Sequence, residues 1–209
     1  MIDKLIILVK AGNGGSGASS FRREKYIPKG GPDGGRGGRG GNVIIVGKEG
    51  VIDLGHLRGK QVFRAKDGLN GKGGSKSGGK GSDLFIDVPL GTVVSSITNQ
   101  ASEKQQGEVI VDGHRTIVAR GAGGGRGNQA FVSSTNRVPL LAERGGLGEE
   151  EKICLDFKMP CDIALIGAPN AGKSQLLASL TKAQSLIADY PFSTREPSVG
   201  VLELDWKLY

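Results

Sequence analysis

Short runs of alternating or β-branched apolar residues recur through the first 158 residues, at 5–9, 43–46, 61–65, 84–88, 92–97, 108–111, 116–119 and 152–157. Their period of two predicts strands, and none of them has a helical period. The stretches between them are dense in glycine, at 12–17, 30–41, 68–81 and 121–127, and too long to be simple turns. Glycine-rich chain with scattered proline can run extended in a polyproline-II-like conformation. Such segments lie side by side only where a missing Cβ lets two backbones approach. The expected fold is therefore mainly β, a small barrel or sandwich carrying a glycine-rich lobe of extended, loop-like segments.

At Met159-Pro160 the texture changes. Residues 161–167 read as a buried strand running into a glycine turn. Residues 173–182 have helical composition with Leu176, Leu177 and Leu180 on one face. A polar loop through Pro191 and Pro197 then leads to a second strand-like run at 199–204. Two domains are expected, 1–158 and 159–209.

Composition sharpens the contrast. Of 37 glycines, all but Gly167, Gly172 and Gly200 lie in residues 1–150, and aromatic residues make up 5% of the chain. No strict Gly-X-Y period runs through them, which argues against a collagen triple helix. The net charge is +7, and residues 1–80 carry 16 Lys or Arg against 6 Asp or Glu. That surplus attracts a polyanion over a Debye length of about 10 Å, nucleic acid first and an anionic membrane second. No apolar run approaches the roughly 18 residues of a membrane span, and the N-terminus lacks a cleavable leader pattern. Cys154 and Cys161 have no CxxC spacing and are expected to be reduced, in a cytoplasmic protein. His56 and His114 lack partners at ligand spacing and read as surface histidines.

The sharpest local signal is Gly167-Ala168-Pro169-Asn170-Ala171-Gly172-Lys173-Ser174, which satisfies G-x-x-x-x-G-K-[ST] between an expected strand and an expected helix. In such a loop glycines curl the backbone so that successive N–H groups face phosphate, and the following helix adds its N-terminal partial charge. Lys173 would reach the β- and γ-phosphates and Ser174 would place its hydroxyl on Mg²⁺. Twenty residues on, Thr194 occupies the position of the threonine that closes on Mg²⁺ and γ-phosphate in GTPases, with Ser193 as its competitor. Residues 175–209 hold no Asp-x-x-Gly and no Asn-Lys-x-Asp. The expectation is the opening portion only of a nucleotide domain, poorly packed when alone.

The segment 21–41 contains Arg36-Gly37-Gly38 and Arg39-Gly40-Gly41, two RGG triplets in tandem, open to reading as a disordered RNA-binding stretch. It is bracketed by strand-like runs, and the same texture returns twice more between strands. Ala11-Gly12-Asn13-Gly14-Gly15-Ser16-Gly17, Phe21-Arg22-Arg23-Glu24-Lys25, Gly30-Gly31-Pro32-Asp33-Gly34-Gly35-Arg36-Gly37-Gly38, Gly79-Lys80-Gly81 and Val88-Pro89-Leu90-Gly91-Thr92 follow one another in order. Gly123-Gly124-Gly125-Arg126-Gly127-Asn128, Gly167 to Ser174, and Ile187-Ala188-Asp189-Tyr190-Pro191-Phe192-Ser193-Thr194 complete the series. Together these resemble the Obg family of ribosome-associated GTPases over essentially the whole chain.

The resemblance implies left-handed extended helices on a small β-barrel, followed by a Ras-like P-loop α/β domain. It implies GTP and GDP as ligands, Mg²⁺ as cofactor, and a role in assembly of the large ribosomal subunit, whose RNA the first domain reaches. The nucleotide loop would be Gly167 to Ser174. The switch segment would be Phe192, Ser193, Thr194, Arg195 and Glu196, with Ser174 and Thr194 as Mg²⁺ ligands. Arg195 stands where the family usually has leucine. Arg22, Arg23, Lys25, Arg36 and Arg39 are the candidate RNA contacts, and the protein is expected to be a monomer. A second reading is a non-catalytic ribosome- or RNA-binding module.

Overall fold

The computed structural model describes residues 2–23, 30–97, 103–158, 161–168, 171–181, 200–204 and 207–208. It divides into two compact units, Asp3–Phe157 and Lys158–Tyr209, the latter taken with Met1–Ile2.

The first unit holds eight strands: β1 (Lys4–Lys10), β2 (Val43–Gly47), β3 (Val62–Arg64), β4 (Leu84–Val88), β5 (Thr92–Ile97), β6 (Glu103–Val109), β7 (Arg115–Ala119) and β8 (Glu150–Phe157). They form a five-stranded sheet in the order β3-β1-β8-β5-β6 and a three-stranded sheet in the order β4-β2-β7. β1 pairs antiparallel to β8 with Ile7 opposite Ile153, and parallel to β3 with Val9 opposite Phe63. β2 pairs parallel to β4 and antiparallel to β7. Ile7, Val9, Val94, Val109, Ile153 and Leu155 of the larger sheet are buried, as are Val43, Ile45, Ile86 and Val88 of the smaller. Leu54 and Leu57, around the 3₁₀ turn Gly55–Leu57, add to this core.

All eight expected strands are present, with one shift in register. β6 begins at Glu103, five residues before the expected start, and ends at Val109, leaving Ile110 and Val111 exposed beyond it. Its polar opening, Glu103-Lys104-Gln105-Gln106, carries no apolar alternation. It is strand because it borders the sheet and pairs with β5 from Thr92 to Ile97.

Six strands continue into six glycine-rich segments on one side of the sheets, covering 11–18, 33–42, 65–72, 76–83, 120–128 and 143–149. Their hydrogen bonds run between segments, in steps of three residues. The N–H groups of Gly12, Gly15 and Ala18 donate to the carbonyls of Gly41, Gly38 and Gly35; those of Gly35, Gly38 and Gly41 donate to Lys72, Leu69 and Lys66. Ala122, Gly125 and Asn128 donate to Gly12, Gly15 and Ala18, while Gly37 and Gly40 donate to Gly125 and Ala122. A repeat of three is what results when each residue turns the backbone by about a third of a revolution, so that every third one meets the same neighbour.

The glycines are required by that spacing. A Cβ on Gly37 would meet the backbone of Gly15, and one on Gly40 the backbone of Gly12, closer than the 3.0 Å that real Cβ atoms essentially never breach. Segment 33–42 shows the logic: Gly34, Gly37 and Gly40 face segment 11–18, while Gly35, Gly38 and Gly41 face segment 76–83. Only the third position of each triplet, Arg36 and Arg39, is free to carry a side chain, and both are exposed.

The second unit holds helix α1 (Lys173–Leu180) and a two-residue antiparallel pair, β9 (Glu203–Leu204) with β10 (Lys207–Leu208). The buried strand expected over 161–167 is absent. Residues 161–168 are irregular and exposed, with Ile166 93% accessible. A strand of this apolar kind needs partners on both edges and cover on both faces. Among the described residues, β9 pairs with β10 and not with 161–167. The expected run at 199–204 is reduced to β9, and α1 has no buried residue: of the expected leucine face, Leu176 and Leu180 are exposed and Leu177 is half-buried.

Candidate functional site

The phosphate-type loop is partly described. Gly172 has φ +78, in the left-handed region that glycine enters freely, and serves as the N-cap of α1. This reverses the chain so that the helix begins at Lys173. Its side chain folds back over the loop, Nζ donating to the carbonyls of Gly167 at 2.9 Å and Ala168 at 2.6 Å. The ammonium thus sits among the loop's own acceptors, for which phosphate oxygens can substitute. The first turn of α1 contains no acidic residue, leaving the positive end of its dipole uncompensated within the helix. Ser174 is the second helical residue. Pro169 and Asn170 lie outside the described residues, as do Phe192, Ser193, Thr194, Arg195 and Glu196.

Magnesium prefers oxygen ligands and keeps most of its shell as water and substrate phosphate, so one or two protein oxygens suffice. The Ser174 hydroxyl fits that role. Among the described residues there is no cluster of three His, Cys, Asp or Glu that could form a protein-only cage.

The candidate basic residues separate into two groups. Arg22 and Arg23 are exposed at the end of the glycine lobe remote from the sheets, and Lys25 lies outside the described residues. Close by, Asp33 accepts from Ser20 Oγ at 2.7 Å and from the Gly74 N–H at 2.9 Å; these bonds and the Arg22 charge hold its carboxyl below the usual range. Arg36 and Arg39 lie instead along the flank of the lobe. Arg36 Nε approaches the Gly124 carbonyl at 3.4 Å; Arg39 approaches the Gly121 carbonyl through Nε and Asn42 Oδ1 through Nη2, each at 3.4 Å. The stretch carrying Lys72, Lys76 and Lys80 is a tight return in which Lys72 N–H donates to the Lys76 carbonyl, with Lys80 paired to Asp83 at 3.1 Å.

Several residues hold the lobe together in ways the sequence reading did not assign. Asn128 is fully buried; its Oδ1 accepts from the Gly34 N–H at 2.8 Å and its Nδ2 donates to the carbonyls of Ser20 at 2.9 Å and Pro139 at 3.2 Å. Asp67 accepts from Asn13 N–H, Asn70 from Ser16 N–H, and Asp83 from Asn42 N–H. Glu143 accepts from the backbone and guanidinium of Arg126, which lower its carboxyl to about 2. A signal that could have found two of them is spacing: Asp67 and Asn70 stand three residues apart, as do Asn13 and Ser16, whose N–H groups they accept from.

Two family models match the chain, GTP1/OBG over residues 2–159 and 50S ribosome-binding GTPase over residues 162–209. A protein named GTPase Obg from Aquifex aeolicus is 49% identical over 210 residues, covering 99% of this chain and 59% of that one. The GTPase Obg of Persephonella marina is 49% identical, with 98% of this chain and 59% of its own length covered. That of Sulfurihydrogenibium is 48% identical, with 98% and 58% covered. The chain therefore spans somewhat under three fifths of the length of these relatives.

Proposed function

The chain belongs to the GTP1/OBG family, and from that premise we propose that it is a guanine-nucleotide-binding protein acting on the large ribosomal subunit. In this reading residues 159–209 form a nucleotide unit and residues 1–158 an RNA-binding one. The observation that carries the nucleotide half is the loop before α1: Gly172 in the left-handed region, Lys173 Nζ drawn over the loop mouth, and a helix start free of acidic side chains. Gly167, Ala168, Pro169, Asn170, Ala171, Gly172, Lys173 and Ser174 would surround the phosphates, with Phe192, Ser193, Thr194, Arg195 and Glu196 closing over them. Mg²⁺, held by Ser174 and Thr194, would neutralise charge on the β- and γ-phosphates. GTP hydrolysis to GDP is the reaction the family name implies.

The RNA half rests on charge and on shape. The glycine segments, polyproline-II-like helices in this account, hold Arg22 and Arg23 at the far end of a narrow lobe, with Lys25 beside them in sequence. Arg36 and Arg39 add attraction from the flank. The protein is proposed to be monomeric and cytoplasmic; among the described residues no helix is long and apolar enough to cross a membrane.

The experiment is a titration of the chain with a fluorescent GDP or GTP analogue in Mg²⁺, with Lys173→Ala as control. Saturable binding lost in the variant supports the nucleotide reading. Equal binding by the variant, or none by either, overturns it for this chain. A second reading, a ribosome-binding module without catalysis, is favoured by the exposure of 161–168 and of Leu176 and Leu180 in α1. It predicts no GTP turnover while RNA binding is retained.

A further inference from the structure

Segment 33–42 lies at the middle of the lobe, and its neighbours can be placed around it in order. Segment 76–83 bonds to segment 65–72 through Leu69 N–H and the Gly79 carbonyl, and 65–72 bonds to 11–18 through Gly68 N–H and the Asn13 carbonyl. Segment 11–18 in turn receives the bond from Ala122 N–H. All four, 76–83, 65–72, 11–18 and 120–128, bond to 33–42. Among the described residues no hydrogen bond joins 76–83 to 120–128. The flank of the central segment between those two is therefore open.

At the end nearest the sheets, side chains occupy the place of the absent segment. Asn42 Oδ1 accepts from the Gly121 N–H at 2.9 Å, and Asp83 Oδ1 accepts from the Asn42 N–H at 2.8 Å. Further out, no described residue does so. By the repeat of three, Gly124 and Gly127 present their N–H groups on the same edge as Gly121, and Arg36 and Arg39 on the same edge as Asn42. None of these four N–H groups has an acceptor among the described residues. The guanidinium groups of Arg36 and Arg39 lean across this flank towards the carbonyls of Gly124 and Gly121 at 3.4 Å, with the carboxylates of Glu143 and Asp83 near enough to feel their charge. Both are exposed and can turn outward to a carboxylate.

We infer that this flank is a docking groove for an extended acidic polypeptide segment, which would lie beside residues 33–42 as one more three-residue helix. Arg36 and Arg39 are three positions apart, about 9 Å along such a helix, so a chain in the same conformation with a carboxylate at every third residue stays in register with both. One of its carbonyls would accept from the Gly124 N–H as Asn42 Oδ1 accepts from Gly121, a bidentate Arg–carboxylate contact fixing the register. Single-stranded RNA fits less well. Residues 33–42, 76–83 and 120–127 contain no aromatic side chain on which a base could stack.

The test uses a fluorescein-labelled peptide of about five Pro-Pro-Glu triplets, which is already in the extended helix, titrated by anisotropy against the full chain at low salt. The expected result is saturable binding, at least ten-fold weaker for the Pro-Pro-Gln peptide and for the Arg36→Gln/Arg39→Gln protein. The amide NMR signals of Gly124, Arg36 and Arg39 should move while those of Gly14 and Gly17 stay in place. Binding of the acidic peptide that is unaffected by the double substitution overturns the inference, as does its failure to bind. So does a uridine oligonucleotide that moves the same amides where the peptide moves none. Far-UV circular dichroism of the double variant, expected to match the parent because both side chains are exposed, separates lost binding from lost fold. These outcomes are independent of nucleotide binding at Lys173.

Discussion

Gly37→Ala tests the close approach of backbones on which the lobe depends. A Cβ at this position would meet the carbonyl carbon and oxygen of Gly15 and the carbonyl of Ser16, all backbone atoms with no flexible end to yield. Relief requires segments 11–18 and 33–42 to part, and the bonds that join them are Gly12 N–H to Gly41, Gly15 N–H to Gly38 and Ala18 N–H to Gly35, at 2.8, 2.8 and 3.0 Å. Losing two at about 1 kcal/mol each, with overpacking of about 1–3 kcal/mol, gives a destabilisation of about 3–5 kcal/mol. For a unit of this size that lowers Tm by about 6–20 °C. The control is Gly123→Ala in a neighbouring segment, where a Cβ meets nothing within 4 Å and φ is not in the left-handed region; it should change stability by less than about 1 kcal/mol, in the stabilising direction. Denaturant unfolding of both variants by far-UV circular dichroism reads the difference. If Gly37→Ala is as stable as Gly123→Ala, the segments are not in van der Waals contact and the lobe is not built this way.

Asn128→Ala should destabilise the first unit by about 2–4 kcal/mol, because it leaves the Gly34 N–H and the carbonyls of Ser20 and Pro139 without partners in a buried place; chemical denaturation checks it. Stability should also fall with acid. Asp33, Asp83 and Glu143 have carboxyls lowered in the folded state by hydrogen bonds and neighbouring cations, so their contribution is complete above the ordinary values of 3.8 and 4.5 and is lost as pH drops towards about 2 for Glu143. Glu143→Gln should flatten the low-pH limb of a stability–pH curve; an unchanged limb would count against the Arg126 pairing as its source. The proposed binding to ribosomal RNA should weaken with salt at a log–log slope of about −0.7 to −0.9 per phosphate contact, and neutralising Arg22 and Arg23 should make that slope shallower by about two contacts.

The strands were legible because apolar alternation is a local signal, and β4 and β5 match it end for end. The glycine lobe was legible as texture but not as geometry. Nothing local in Gly34-Gly35-Arg36 says which neighbour each glycine faces, since that is set by register between segments far apart in the chain, as in the bonds of Gly12 to Gly41 and Ala122 to Gly12. The role of Asn128, which closes the 123–128 motif, was hidden for the same reason: its three partners come from residues 20, 34 and 139. In the second unit the motif 167–174 was plain from spacing alone, and α1 begins where the motif places it, at Lys173. The strand before it was not borne out, because an apolar run becomes a buried strand only when other strands and helices are there to cover it.

The most direct measurement is sedimentation of the chain with purified large ribosomal subunits at about the ionic strength of a cell, comparing the parent with Arg22→Gln/Arg23→Gln and with Lys173→Ala. The parent is expected to pellet with the subunits, the arginine variant to stay in the supernatant while keeping the parent's circular dichroism spectrum, and Lys173→Ala still to pellet in the absence of nucleotide. Equal pelleting of the parent and the arginine variant would contradict the claim that the far end of the glycine lobe is the RNA-binding surface.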